Sequence, residues 1–215
     1  MAKLPTQYSI MVVDIEGFST HAYPVQARWQ AELSEAVRSA ARNTSLRRED
    51  FRIQARGDGI LILIPPAVSP VRLAGVFIRG LEQFLAGESA GLSAAQSMRL
   101  RVALHLGMVS LDEEAWSGEA VILACRLVDA QPLRETLKAA RRAHLSFIVS
   151  DDAYQNLIRR GHRTINTAAY LPVRLHAGRL LDVRAWITVP GYATPPGIEP
   201  AGTGDAAGAS GLGSG

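Results

Sequence analysis

The sequence predicts a single α+β domain with helices packed on one face of a mixed or antiparallel sheet. Its 215 residues are 47% hydrophobic, which is enough for one domain with a full core and too little for two. Helix-like and strand-like stretches are mixed along the chain, and two pairs of strands are joined by tight turns. That arrangement is typical of α+β folds.

The first predicted strand ends on a carboxylate. Ile10 to Val13 form a continuous apolar run, which is typical of a strand buried on both faces, and Asp14 follows directly. A buried carboxylate is costly unless it is paired or binds a metal, and Gly17 lets the following backbone approach a ligand closely. This turn is a candidate site for phosphate and metal. The alternative is that Asp14 caps a helix at 18–21.

A helix and a hairpin follow. Apolar residues recur every three or four positions from Val25 and predict a helix that ends near Asn43. Two strand-like runs within 51–65 are joined at Gly57, Asp58 and Gly59, where the glycines allow a tight turn. If the first strand lies beside this hairpin, Asp14 and Asp58 meet, as the split βαβ arrangement provides.

The middle of the chain is predicted to contain a helix, a strand and another helix. The helix runs from Val71 to about Leu85, after an N-cap at Ser69. The strand over 98–109 alternates cleanly, with apolar residues on one face and three basic residues, Arg99, Arg101 and His105, on the other. His105 is interpreted as an ordinary strand residue rather than a catalytic one.

The next helix, over 117–130, is predicted to turn four apolar residues inward: Val121, Ala124, Leu127 and Val128. Arg126 lies off that stripe. A further helix, a strand at 144–150, a short helix capped by Ser150 and two strands around a turn at Ala177 and Gly178 complete the domain. The domain is assigned to residues 1–193. Residues 194–215 are rich in Pro, Gly, Ala and Ser without apolar periodicity, and are predicted to be a disordered tail.

Composition narrows the function classes. The net charge is +3 and the basic residues are scattered, so no nucleic-acid partner is expected. No segment has the length of a membrane span or a signal peptide, so the protein is predicted to be cytoplasmic. One cysteine, Cys125, excludes an intrachain disulfide and a cysteine-based zinc cage, and it is interpreted as a core residue rather than a nucleophile.

Four motifs together resemble a known family, the catalytic domain of class III adenylate and guanylate cyclases. In order and spacing these motifs are DIEGFS at 14–19, ARGDGI at 55–60, RVALHLGMV at 101–109 and GEAVILACRL at 118–127. The resemblance covers about residues 8–190. It implies the ferredoxin-like βααββαβ cyclase fold, with helices packed on a mostly antiparallel sheet.

The resemblance also implies site residues, cofactors and assembly. Asp14, the carbonyl of Ile15 and Asp58 match the ligands of two Mg²⁺ or Mn²⁺ ions. The backbone N–H groups of Glu16, Gly17, Phe18 and Ser19 match those that hold the triphosphate. Arg126 matches the arginine that stabilises the transition state from the opposite subunit, which implies a homodimer with sites at its interface.

Three positions depart from the family pattern. Gln54 replaces the Lys of adenylate cyclases or the Glu of guanylate cyclases, and Ala115 occupies the second purine-reading position. Ile122 stands where the family has a catalytic Asn, a loss of about 2 to 4 kcal/mol in transition-state stabilisation if nothing replaces it. The usual determinants for reading a purine are therefore absent.

Without purine determinants, the chain looks most similar to the free-standing pyrimidine cyclases of bacterial antiphage defence. The implied reaction converts UTP, or secondly CTP, to a cyclic nucleotide that acts on a cyclic-nucleotide-responsive effector. Gln54 and Arg56 are the predicted base-recognition residues, because both can donate to pyrimidine carbonyls. The alternative is a degenerate cyclase fold that binds nucleotide or dimerises without turnover, or a register in which Gln54 and Arg56 face away from the pocket.

Overall fold

The computed structural model describes residues 4–111, 116–177 and 180–199. Within these residues eight strands form one sheet, with the order β2-β3-β1-β4-β6-β8-β7 and β5 paired to β4. The strands are β1 Thr6–Ile15, β2 Arg52–Arg56, β3 Gly59–Ile64, β4 Leu100–Leu111, β5 Trp116–Ser117, β6 Leu145–Ser150, β7 Leu171–Ala177 and β8 Leu180–Thr188. The pairing of β4 with β6 is parallel and the other pairings are antiparallel. The predicted α+β class and mostly antiparallel sheet are confirmed.

The helices largely follow the predicted order. They are α1 Tyr23–Asn43, α2 Pro70–Arg72, α3 Ile78–Glu88, α4 Glu119–Val128, α5 Gln131–Ala139 and α6 Asp151–Ala153. A π-helical segment, Leu73–Phe77, joins α2 to α3, and another, Tyr154–Ile158, extends α6. The helix expected at 18–21 is a single 3-10 turn, Phe18–Thr20, whose N-cap is Gly17. The alternative role of Asp14 as a helix cap is therefore wrong.

Helices cover both faces of the sheet, so the prediction that they lie on one face is wrong. On one face, Met11 and Val13 pack in the α3-face cluster, which contains the buried residues of α1 and α3. On the other face, Ile10 and Val12 pack with the buried residues of α4 in the α4-face cluster. The physical reason lies in β1 itself, because a continuous apolar run turns large side chains to both faces and each face needs a cover.

The register of β1 brings the predicted motifs together. Asp14 lies opposite Gly59 of β3 and opposite Arg101 of β4. The turn between β2 and β3 contains two residues, Gly57 and Asp58, and Gly57 has a left-handed φ of 58°. β1 is therefore beside the hairpin, as the convergence of the two aspartates requires.

The described part of the chain reaches beyond the predicted domain end at residue 193. Pro195 is buried, and Ile198 packs against the α4-face cluster. These residues make apolar contact with the domain, although their composition resembles that of the tail. The rest of the tail, residues 200–215, lies outside the described residues. None of the helices described is both long and apolar enough to cross a membrane.

Candidate functional site

Asp14 and Asp58 meet at the end of β1. The N–H of Ile15 donates to the carbonyl oxygen of Asp58 at 3.2 Å. A Cβ at Gly59 would lie 2.6 Å from the Val13 carbonyl oxygen, so the close approach of the hairpin to β1 requires glycine there. Both carboxylates line a cavity of about 320 Å³ on the α4 face of the sheet, together with Val12, Val13, Arg56, Gly59, Ile60, Arg101, Cys125, Val128 and Asp129.

Arg101 is paired with Asp14. Its guanidinium donates to Asp14 Oδ2, and both side chains are only 14% exposed. Burial nevertheless raises the pKa of Asp14 above its ordinary value; Arg101 opposes the rise, and the charges of Asp58 and Asp129 add to it. Asp14 thus occupies a site where positive charge is favourable beyond what Arg101 supplies.

These residues fit a hard divalent cation. Carboxylate oxygens are the donors that Mg²⁺ and Mn²⁺ prefer, and the proximity of Asp14 to Asp58 disfavours two uncompensated negative charges. Among the described residues no group of three or more His, Cys, Asp and Glu side chains could hold a metal by itself. Backbone oxygens, water or substrate would have to complete the coordination sphere of such an ion.

The loop predicted to hold the triphosphate has one of its four N–H groups already used. Glu16 donates its N–H to the Arg99 carbonyl oxygen at 2.9 Å, and its carboxylate lies 3.3 Å from Arg99 Nε. The assignment of the Glu16 N–H to triphosphate is therefore wrong for this conformation, because β4 extends alongside β1 past Asp14. Gly17 adopts a left-handed φ of 67°, and Phe18 and Ser19 begin the 3-10 turn, where the first N–H groups lack partners inside the helix.

Arg126 is on α4 but does not line the Asp14 cavity. Its neighbours Cys125 and Val128 do, while Arg126 itself is exposed. One turn earlier, Ile122 is 52% exposed, an unusual position for a large apolar side chain. The inward stripe of α4 matches the prediction residue for residue: Val121, Ala124, Leu127 and Val128.

The two predicted base-recognition residues share the α4 face of the sheet. Gln54 lies opposite Leu61, a member of the α4-face cluster, and Arg56 lines the Asp14 cavity. Arg56 Nε and Nη2 donate to Gln54 Oε1 at 3.3 and 3.1 Å. The alternative register, with both side chains turned away from the cavity, does not occur for Arg56. Ala115, the other purine-reading position, lies outside the described residues.

Sequence reasoning missed two charged residues at this cavity. The alternation of its strand puts Arg101 on the polar face but indicates no role for it, because its pairing with Asp14 depends on strand register. Asp129 follows α4 and forms an ion pair with Arg134 at 2.8 Å; no motif in the sequence indicates it.

The interpretation of His105 and Cys125 as residues without a catalytic role fits the structure. His105 is buried and its Nδ1 lies 2.8 Å from Ser150 Oγ, the oxygen that caps α6. Burial lowers the pKa of His105, which agrees with a neutral structural side chain. Burial raises the pKa of the Cys125 thiol, although Arg56 opposes the rise. A thiol that is harder to deprotonate is a poor nucleophile.

No family model and no curated protein matches the chain, whereas solved structures do. An adenylate/guanylate cyclase/hydrolase from Silicibacter pomeroyi is 19% identical, with a TM-score of 0.64, over 88% of this chain and 100% of that one. The guanylate cyclase domain of RhGC from Catenaria anguillulae, in complex with GTP, is 16% identical, with a TM-score of 0.58, over 87% and 98%.

A third structure is the non-canonical dimeric guanylyl cyclase domain of the RhoGC fusion protein from Blastocladiella emersonii. It is 15% identical, with a TM-score of 0.56, over 87% of this chain and 98% of that one. At these identities the likeness establishes the fold alone, and the fold of this chain is that of adenylate and guanylate cyclase domains.

Proposed function

We propose that this chain is a nucleotidyl cyclase that converts a pyrimidine nucleoside triphosphate, UTP before CTP, into its 3′,5′-cyclic nucleotide and diphosphate. The observation that carries the proposal is the convergence of Asp14 and Asp58 at one cavity that also contains two arginines, Arg56 and Arg101. Paired carboxylates with adjacent guanidinium groups suit a reaction in which a polyanion is bound through metal ions and direct contacts.

The reaction forms a bond between the ribose 3′ oxygen and the α-phosphorus and breaks the bond from that phosphorus to the bridging oxygen of diphosphate. The 3′ hydroxyl loses its proton to solvent or base. Asp14, Asp58 and the Ile15 carbonyl are the residues that would hold Mg²⁺ or Mn²⁺. Such ions supply a lower pKa for the attacking hydroxyl and offset the charge of the triphosphate.

Arg101 and Arg126 are proposed to have different roles in the reaction. Arg101 lies beside Asp14, where it can contact phosphate oxygens bound at the end of β1. Arg126 is exposed and outside the cavity of its own chain, which supports a role in the site of a second subunit. One of the similar structures is described as dimeric, and the exposed Ile122 beside Arg126 favours burial at such an interface. The active form proposed is a homodimer with two symmetric sites.

The contact between Arg56 and Gln54 favours uracil over cytosine. Because Arg56 donates to Gln54 Oε1, the Gln54 oxygen already has a partner, and the Gln54 NH2 group is left to act as a donor. Uracil presents two carbonyl acceptors, whereas cytosine presents an amino group that needs an acceptor. A donor at position 4 of the base therefore pairs with the uracil carbonyl, whereas it would face the cytosine amino group, which is itself a donor.

The biological role proposed is production of a second messenger in antiphage defence, read by a cyclic-nucleotide-responsive effector. Its support is the resemblance to free-standing pyrimidine cyclases.

A second candidate function, a nucleotide-binding or dimerisation module without turnover, is favoured by one observation. Ile122 stands in place of the family's catalytic Asn and is exposed, so that position offers no polar contact to a transition state.

Incubation of the purified protein with Mn²⁺ and each of the four nucleoside triphosphates separately, followed by mass analysis, distinguishes the two candidates. The cyclase predicts cyclic UMP with an equal amount of diphosphate. The binding module predicts nucleotide binding without any cyclic product. Asp58→Asn is the matched control, because it keeps the shape of the side chain and removes its charge.

A further inference from the structure

A second cavity lies on the opposite face of the sheet from Asp14. Its volume is about 340 Å³, within the lower part of the range of about 300 to 1,000 Å³ that is typical of ligand pockets. Its walls come from the π-helical segment Leu73–Phe77, from α3, and from the segments on either side of β7 and β8. Ile78, Ile165 and Tyr170 belong to the α3-face cluster, so the sheet separates this cavity from the Asp14 cavity.

Glu82 is the unexplained residue of this cavity. It lines the wall, and its Oε2 is buried without a hydrogen-bond partner among the described residues. The His144 backbone forms a hydrogen bond with the Glu82 carboxyl group, yet burial raises the pKa of Glu82 to about 7. A buried polar atom without a partner costs free energy, and a perturbed carboxyl group in a cleft is a candidate binding group.

Arg79 supplies the opposite charge on the same helix face. It lies one turn before Glu82 on α3, so both side chains reach the same cavity. Arg79 Nη2 donates to the Thr164 carbonyl oxygen at 3.1 Å, which holds the exposed guanidinium at the wall. The cavity therefore offers a buried carboxyl group and a more exposed guanidinium.

The rest of the wall is shaped for a compact apolar group. Ile78, Ile165 and Val189 are buried apolar residues at this wall. A Cβ at Gly75 would lie 2.4 Å from Thr164 Oγ1, so the π-helical segment packs directly against the Thr164 loop. Single π-helical turns inside α-helices occur frequently at functional sites, and this one carries two wall residues, Ala74 and Gly75.

We propose that this cavity binds a small zwitterion, an α-amino acid with an apolar side chain. The ammonium group pairs with Glu82, the carboxylate pairs with Arg79, and the side chain packs on Ile78, Ile165 and Val189. A ligand with only one charge leaves either the buried carboxyl group or the guanidinium uncompensated. No residue of the Asp14 cavity takes part, so amino-acid binding here does not depend on cyclase activity.

Calorimetric titration of the full chain with L-leucine and with L-phenylalanine tests this site. Two half-molecules, 2-phenylethylamine and 3-phenylpropionate, each keep one charged group of phenylalanine. At least one amino acid is expected to bind, and each half-molecule is expected to bind about tenfold more weakly or worse. Glu82→Gln and Arg79→Gln should each weaken amino-acid binding about tenfold, while Asp58→Asn leaves it unchanged.

Thermal unfolding of the Glu82→Gln variant confirms that a loss of binding is not a loss of fold. The proposal is overturned if neither amino acid binds at millimolar concentration, if a half-molecule binds as tightly as phenylalanine, or if Glu82→Gln binds like the wild type. Binding that disappears in Asp58→Asn also overturns it, because the amino acid would then be in the nucleotide cavity.

Discussion

At the level of single residues, the ion pair between Asp14 and Arg101 means that substitutions of Asp14 and Asp58 should affect stability differently. Two carboxylates close together repel each other, so removing either one would by itself relieve a buried charge cluster and leave the fold intact. For Asp14 the structure changes that expectation, because its loss leaves the Arg101 guanidinium buried without its partner. Breaking one side of a buried ion pair costs about 3 kcal/mol or more.

Asp58→Asn is therefore expected to abolish turnover while unfolding at the wild-type temperature, whereas Asp14→Ala loses both activity and stability. Cyclic-nucleotide assays and thermal unfolding of the two variants measure the difference. Retention of more than about a tenth of wild-type turnover by Asp58→Asn would contradict its role as a metal ligand.

Glu82 gives a second prediction, on the pH dependence of stability. Its pKa is raised from 4.5 to about 7 by burial, so the folded state binds this proton more tightly than the unfolded state. The stabilisation is complete below pH 4.5 and is lost as the pH rises through about 7, by about 3 kcal/mol in total.

Glu82→Gln removes this dependence because glutamine does not titrate. The difference in unfolding temperature, Glu82→Gln minus wild type, is expected to increase by several degrees between pH 4 and pH 8, because only the wild type loses stability over this range. Other titrating groups are common to both proteins and cancel in the comparison. A difference that does not change with pH would show that Glu82 titrates normally.

At the scale of elements, the first strand explains both a success and a failure of sequence reasoning. Its continuous apolar run predicted burial on both faces, which the structure confirms with Ile10 and Val12 on one side and Met11 and Val13 on the other. The same run requires cover on both faces of the sheet, which contradicts the expectation of helices on one face only. Hairpin and helix positions were predictable because glycine turns and helical periodicity are local signals.

The hairpin supplies a prediction at this scale. Gly59→Ala places a Cβ 2.6 Å from the Val13 carbonyl oxygen, which must push β3 away from the end of β1. We expect a loss of about 2 kcal/mol in unfolding free energy and a further loss of turnover, because Asp58 moves relative to Asp14. Gly87→Ala, in α3 with no atom near the added methyl group, is the matched control and should be neutral or stabilising by up to about 1 kcal/mol.

Denaturant unfolding measures both glycine variants. Equal stability of Gly59→Ala and the wild type would mean that the hairpin tip can move freely, and the site would then not depend on its close packing against β1.

At the scale of the whole molecule, what the sequence could not predict depends on contacts between distant segments. The pairing of Arg101 with Asp14 follows from the register of β1 and β4, and register is not a local signal. The same holds for Asp129 and for the Glu82 cavity, whose walls come from segments about a hundred residues apart. The order of the four motifs was enough to predict the fold, because each motif is short and local.

Assembly gives the prediction at this scale. If each site combines Asp58 of one subunit with Arg126 of the other, a mixed dimer of Asp58→Asn and Arg126→Ala chains has one intact site. Random exchange should therefore restore about a quarter of wild-type activity from two inactive proteins. Subunit exchange is demonstrated with differently tagged chains. If exchange occurs without any recovery of activity, Asp58 and Arg126 of different subunits do not form one site.

If the cleft at Asp14 and Asp58 cyclises a pyrimidine nucleotide, competition among the four nucleoside triphosphates will reveal it in one assay. An equimolar mixture of UTP, CTP, ATP and GTP is incubated with the protein and Mn²⁺, and the cyclic products are quantified together by mass spectrometry. We expect cyclic UMP to dominate and cyclic CMP to be second, and we expect Gln54→Ala and Arg56→Ala to reduce the preference. Predominance of cyclic AMP or cyclic GMP, or the absence of any cyclic product, would show that this cleft does not cyclise pyrimidine nucleotides.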